Sequence, residues 1–190
     1  MPAVWTNGCQ CRSATQGKKF VDIGNVDLIS KRAARVVSIY PKGTLSDYIP
    51  FYFTPYSPML YNIKTGHNGV PQKPMKDIVI LVSSLHRLKK DGISFVFSDR
   101  HAYLKTALFS DDLKDLDRII WSTLQERNFR KDDVDRFDKY QAEALVHKHL
   151  PLDSLEGVVC YNDVVRADMQ KTADVAGFAV KIISRPGWYL

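Results

Sequence analysis

The spacing of apolar and polar positions changes repeatedly along the chain, and each change predicts an element. From Val26 to Val37 the apolar residues Leu28, Ile29, Ala33, Val36 and Val37 recur near helical spacing. Asn25 or Asp27 is available as a cap, and Lys31, Arg32 and Arg35 crowd the later turns, so a helix is predicted over Val26–Val37. Basic residues in a last turn complement the helix dipole, which accounts for Arg35. Arg32 lies a turn earlier beside the aliphatic stripe and could equally point inward to a phosphate. Asp77–Val82 is short, apolar and β-branched, as in a buried strand, and Ser83 and Ser84 then offer an N-cap to a helix over Leu85–Lys90 that stops at Gly92. Ser94–Phe97 reads as a second strand and delivers Ser98-Asp99-Arg100-His101 to its end, a favoured place for a site, though a lone histidine is commonly structural.

The second half is more charged. Residues 111–138 hold nine acidic and six basic residues; Leu113, Leu116, Ile119 and Ile120 predict a helix over Leu113–Leu124, and Glu126–Asp138 loses periodicity and reads as a mobile loop. A helix is predicted again over Tyr140–Val146. Within it Glu143 is either a solvent-facing residue between Ala142 and Ala144 or a carboxylate whose burial demands a reason. Pro151 stops this segment, after which Gly157–Cys160 reads as a strand, Val164–Val175 as a helix and Phe178–Ser184 as a last strand. The opening residues 1–25 show little periodicity and read as irregular. The pattern is α+β, with strands too short and unevenly spaced for a doubly wound sheet.

One stretch fits none of these periods. Asp47–Tyr61 carries three prolines and six rings in fifteen residues, which suits neither an amphipathic helix nor a central strand. A stiff aromatic loop is expected, with a short helix resuming after Pro58; it could wall the core or a ligand site.

Composition narrows the classes. With 190 residues, 45% of them hydrophobic and 25% charged, the chain matches one ordinary globular domain. No run reaches the length of a membrane span, the start has no signal-peptide pattern, and three cysteines form no even framework, so a cytoplasmic protein is expected. The net charge of +6 is uneven: residues 1–100 hold 14 Lys/Arg against 6 Asp/Glu, and the remainder 13 against 15. A basic first half points to an anionic partner or to a merely solubilising surface. Cys9 and Cys11 lack further ligands at metal-site spacing, and Asp112-Leu-Lys114 imitates a nuclease motif without its ligand set, so no metal is expected.

Five segments in order carry a resemblance: Asp47-Tyr-Ile-Pro-Phe-Tyr-Phe with Ser57-Pro-Met-Leu-Tyr61, Leu81-Val-Ser-Ser84, Phe95-Val-Phe-Ser-Asp-Arg-His101, Gln141-Ala-Glu-Ala-Leu-Val146, and Trp188-Tyr189. From about residue 22 onward the sequence resembles the DarT family of DNA ADP-ribosyltransferase toxins. The resemblance implies an ADP-ribosyltransferase-like core of two small packed β-sheets with surrounding helices. It implies transfer of ADP-ribose from NAD to a base in single-stranded DNA, with thymine favoured over guanine. Glu143 would be the catalytic glutamate, and Arg32, closing Asp27-Leu-Ile-Ser-Lys-Arg32, would serve both catalysis and NAD binding. Tyr52 and Phe53 would line the cofactor, and Tyr56, Met59, Arg100, His101 and Arg136 would meet DNA, the last from a recognition loop over residues 126–139. The implied partner is a DarG-like macrodomain antitoxin. The family's N-terminal Ile-Tyr-His-x-Thr-His element has no counterpart, the first histidine being His67, so that element is expected to be missing or truncated within a single domain of residues 1–190. A catalytically silent DNA- or antitoxin-binding relative is the alternative.

Overall fold

The computed structural model describes residues 2–15 and 23–189. The chain opens with helix α1 (Pro2–Asn7), strand β1 (Cys9–Gln10) and a 3-10 turn, so this part of the opening is ordered; the irregular reading of residues 16–22 lies outside the described residues. There follow α2 (Val26–Ala34), β2 (Tyr48–Tyr52), α3 (Pro58–Thr65), β3 (Val79–Val82), α4 (Leu85–Lys90), β4 (Phe95–Ser98) and β5 (Phe109–Ser110). The second half contributes α5 (Trp121–Gln125), α6 (Val134–Tyr140), β6 (Glu143–His147), β7 (His149–Leu150), β8 (Gly157–Cys160), α7 (Asp163–Val175) and β9 (Ile182–Ser184).

Two sheets make the body. One has the order β2-β6-β4-β5 with antiparallel pairing throughout; the other runs β3-β8-β9, antiparallel across β3-β8 and parallel across β8-β9. A two-stranded β1-β7 pair joins the opening segment to the body, with Cys9 opposite Leu150. Phe95, Phe97, Ala144 and Val146 bury one face of the first sheet, where Leu81 of the second sheet packs against them. The opposite face buries Tyr48, Val96 and Leu145 beneath Val37, Leu45 and Ala102. The second sheet is covered on one side by Met169 and Ala173 of α7 and on the other by Leu60 and Ile63 of α3.

Several boundaries follow local chemistry. Ser57 accepts a hydrogen bond from the Leu60 N–H and Pro58 takes the first helical position of α3, while Ser84 accepts from the Arg87 N–H at the start of α4. α3 ends on Gly66 at φ 74°, a left-handed position that glycine reaches without strain. Asn25, rather than Asp27, caps α2.

Five predictions are corrected. The helix expected over Tyr140–Val146 is instead the end of α6 followed by strand β6. The Ala-Glu-Ala-Leu run favours helix, but pairing on both sides, with β2 and β4, overrides propensity. The loop over Glu126–Asp138 contains the first turns of α6, capped by Asp133 accepting from the Arg136 N–H. The helix over Leu113–Leu124 splits into a 3-10 stretch, Leu113–Arg118, and the short α5, and the last strand shrinks to β9. The aromatic stretch does not begin as a loop: Tyr48–Tyr52 forms β2, and Pro50 is accommodated because β2 lies at the sheet edge, paired only with β6.

Candidate active site

Glu143 is the first residue of β6, a strand with a neighbour on each side. In register, Tyr52 of β2 lies opposite it on one side and Ser98 of β4 on the other. Because side chains alternate across a strand, Ala144 and Val146 enter the aromatic core while Glu143 and Leu145 project to the face beneath Ala102. The carboxylate is therefore 2% exposed, which excludes a solvent-facing place for it.

A charge so deeply buried needs partners, and it has three. Arg32 Nη1 lies 3.0 Å from Oε1 and 2.9 Å from Oε2. His101 Nδ1 is 3.0 Å from Oε1, and the Ala102 N–H donates to the same oxygen at 3.1 Å. Ser98 Oγ sits 3.4 Å from the Glu143 N–H and donates to the Arg100 carbonyl, stiffening the turn that follows β4. Burial alone would push the Glu143 carboxyl upward, but Arg32, His101 and the Ala102 amide together outweigh it and hold the carboxyl below its ordinary value. Burial and the Glu143 charge raise the Tyr52 phenol, with Arg32 acting in the opposite sense. The glutamate is thus an anion, and the tyrosine beside it is a neutral hydroxyl.

Two atoms of this cluster are left over. Arg32 Nη2 and Glu143 Oε2 are buried, and among the described residues neither has a hydrogen-bond partner. Oε2 is within ion-pair distance of Arg32 but lacks a well-directed hydrogen bond from it. An orphaned buried donor and acceptor in one place are costly; a bound group with a phosphate oxygen to accept from Nη2 and a hydroxyl to donate to Oε2 would satisfy both. The residues present fit a nucleotide such as NAD on that ground. No group of three or more His, Cys, Asp or Glu able to hold a metal occurs among the described residues, and Cys9, Cys11 and Cys160 are free and buried.

The other candidates fall into two sets. His101, assigned by sequence to DNA, touches Glu143 itself, so that Arg32, Tyr52, His101 and Glu143 converge. Phe53 packs against the core and edge-on to Trp121, with ring centroids 5.5 Å apart. The Tyr56 carbonyl accepts from Tyr140 Oη, and the Arg127 guanidinium lies 4.0 Å from the Tyr56 ring centroid. Met59 is exposed at the start of α3. Arg100 binds Asp99 at 3.0 Å and Asp135 of α6 at 3.3 Å, and the His101 N–H donates to the Asp138 carbonyl, so the turn after β4 is docked on α6. Arg136 reaches Glu126 and the Asn128 carbonyl within the preceding loop. Sequence reasoning missed the Ala102 amide, which has no side-chain signal, and placed Ser98 in a candidate cluster at a strand end without giving it a role.

Solved structures give the class of this small α+β domain with its buried, arginine-bound glutamate: it is matched by ADP-ribosyltransferases. The Thermus sp. 2.9 DarT in complex with ADP-ribosylated ssDNA superposes with a TM-score of 0.92 at 30% identity, covering 100% of this chain and 90% of that one. The same Thermus protein in complex with NAD+ gives 0.86, again at 30% identity, over 100% and 91% of the two chains. The DNA ADP-ribosyl transferase of Escherichia coli O127:H6 (strain E2348/69 / EPEC) is 42% identical over 192 residues, spanning 100% of this chain and 88% of the relative. That of Thermus sp. (strain 2.9) is 39% identical over 131 residues, 69% of this chain and 62% of the relative. A family model described as "DarT: ssDNA thymidine ADP-ribosyltransferase" matches residues 1–190, and the chain belongs to that family.

Proposed function

We propose that the protein transfers ADP-ribose from NAD to thymine in single-stranded DNA, with Glu143 as its catalytic carboxylate. The observation that carries this reading is the buried Arg32–Glu143 pair with one donor and one acceptor unsatisfied, inside a fold of this family. NAD supplies the electrophile: its nicotinamide–ribose bond breaks, and nicotinamide leaves with the bonding electrons. Glu143, anionic and fixed from three sides, stabilises the cationic ribose that develops. A base nitrogen then bonds to the ribose carbon, and its proton passes to the Glu143 carboxylate. Arg32, through its free Nη2, binds a phosphate or polarises a base carbonyl.

A single strand presents its bases without the cost of extrusion from a duplex. Tyr52 and Phe53 border the nucleotide, while Tyr56, Met59, Arg100, His101 and Arg136 serve the DNA side. Arg100 acts through the Asp135 contact that docks α6, and Arg136 shapes the loop before it. In the cell the protein acts as a toxin in the cytoplasm, held in check by a DarG-like macrodomain that removes the modification. Three buried free cysteines suit a reducing compartment, and among the described residues no helix is long and apolar enough to cross a membrane.

Incubation with NAD and a thymine-containing single strand should add the mass of one ADP-ribose to the DNA. Glu143→Ala should reduce the rate by about a hundredfold or more, the scale seen when a preorganised electrostatic contact is removed. Equal labelling of a strand containing guanine and no thymine would overturn the base assignment. Product undiminished in Glu143→Ala would overturn the mechanism, and a wild-type chain that binds DNA but forms no product would be the silent relative.

A further inference from the structure

α2 carries a second arginine to the same region. Arg35 follows the last helical residue, and its guanidinium turns away from the helix end: Nη2 donates to the Leu104 carbonyl at 2.8 Å and Nε to the Ala102 carbonyl at 3.4 Å. The same group lies over the Phe109 ring, 5.7 Å from its centroid. A helix-dipole complement would place this charge over the carbonyls of its own last turn. Here it binds carbonyls of a different segment.

That segment is the turn that holds Glu143. Ala102, fully buried, gives its N–H to Glu143 Oε1, and His101 gives the same oxygen its ring nitrogen. Within the turn the backbone bonds are local, from Leu104 N–H to the His101 carbonyl and from Ala107 N–H to the Leu104 carbonyl; α6 ties it from one side through the Asp138 carbonyl. Arg35 ties it again, through the Ala102 and Leu104 carbonyls. Since Arg32 and Arg35 are three residues apart, one helix delivers the direct ligand of Glu143 and the brace of its other two ligands.

We propose that Arg35 is a positioning residue for the transfer reaction: its guanidinium clamps the 102–104 carbonyls so that the Ala102 amide and the His101 ring stay on Glu143 while Arg32 serves the substrate. The role of Glu143 and Arg32 in this statement rests on the function proposed above. Arg35→Met keeps the stem and removes the donors; Arg35→Lys keeps the charge and one reach. In the Met variant the Ala102 amide should exchange with solvent at least about tenfold faster than in wild type, with distant core amides unchanged. The single-turnover rate of transfer should fall about tenfold or more while NAD affinity stays within about twofold, and Lys should recover part of the loss.

Unchanged protection of the Ala102 amide, or faster exchange with an unchanged rate, would overturn the clamp. So would a uniform rise in exchange across the whole sheet, which would mark Arg35 as a stabiliser of the fold. A wild-type chain that forms no product would defeat the function proposed above instead. The exchange arm would still decide whether Arg35 holds the turn.

Discussion

A carboxylate at 2% exposure is stable as an anion only while its three ligands are in place. The pH dependence follows from the direction of its shift. Because the folded Glu143 carboxyl titrates below its unfolded value of 4.5, ionisation favours the folded state above about pH 4.5, and that contribution is lost as the pH falls through the folded value. The groups facing it are Arg32 from α2, His101 and Ala102 from the turn after β4, and Tyr52 from β2. Melting wild type and Glu143→Gln between pH 7 and 3.5 should show a stability difference that shrinks towards acid. A difference independent of pH would mean that the carboxylate is not charged in the folded state. The sequence offered Glu143 with two fates, exposed or buried for a reason, and the register with Tyr52 and Ser98 decides between them.

Among the elements, those that were legible in the sequence carry their own signals. α4 has a serine cap and a glycine stop, β3 and β4 are short β-branched or aromatic runs, and α3 begins at Ser57-Pro58. β6 carried no such signal, because alanine, glutamate and leucine are good helix formers and five residues are too few for a period-two pattern to stand out. Its state is fixed by partners distant in sequence, β2 and β4, which no local window contains. The Arg35 contacts were illegible for a similar reason, since their acceptors lie 67 and 69 residues away and both are backbone atoms. β6 should also be the element that tolerates truncation least. Leu145, fully buried between Pro50 and Val96, should cost about 2–5 kcal/mol as Leu145→Ala. Urea denaturation would check this, and a loss under about 1 kcal/mol would show that the face beneath Ala102 collapses around the cavity.

For the whole molecule, the two-sheet body and its family were within reach of the sequence, since five separated segments kept their order, whereas the placing of charge in space was not. The excess of basic residues in the first half gathers in part at one open cleft, where Lys64, Lys73 and Lys76 stand with Tyr161. Phosphates neutralised by lysine or arginine release counterions, so affinity for a single strand should fall with salt by about 0.7 log units per log unit of salt for each phosphate engaged. Anisotropy with a labelled oligonucleotide should give a slope of about −2 or steeper if three phosphates are held. A slope near zero would leave the basic surface to solubility alone.

The construction of α2 has a further consequence for how this protein can vary. None of its residues is fully buried: Val26 is 67% exposed, Ala33 and Ala34 face solvent, and the helix is tied to the body by Arg32 and Arg35. In most helices the apolar stripe is intolerant of change and the charged face is free to drift. Here, apart from the half-buried Leu28 and Ile29, the relation is inverted. A library of substitutions selected for activity should accept polar and even charged replacements at Val26, Ala33 and Ala34, and should return arginine at positions 32 and 35.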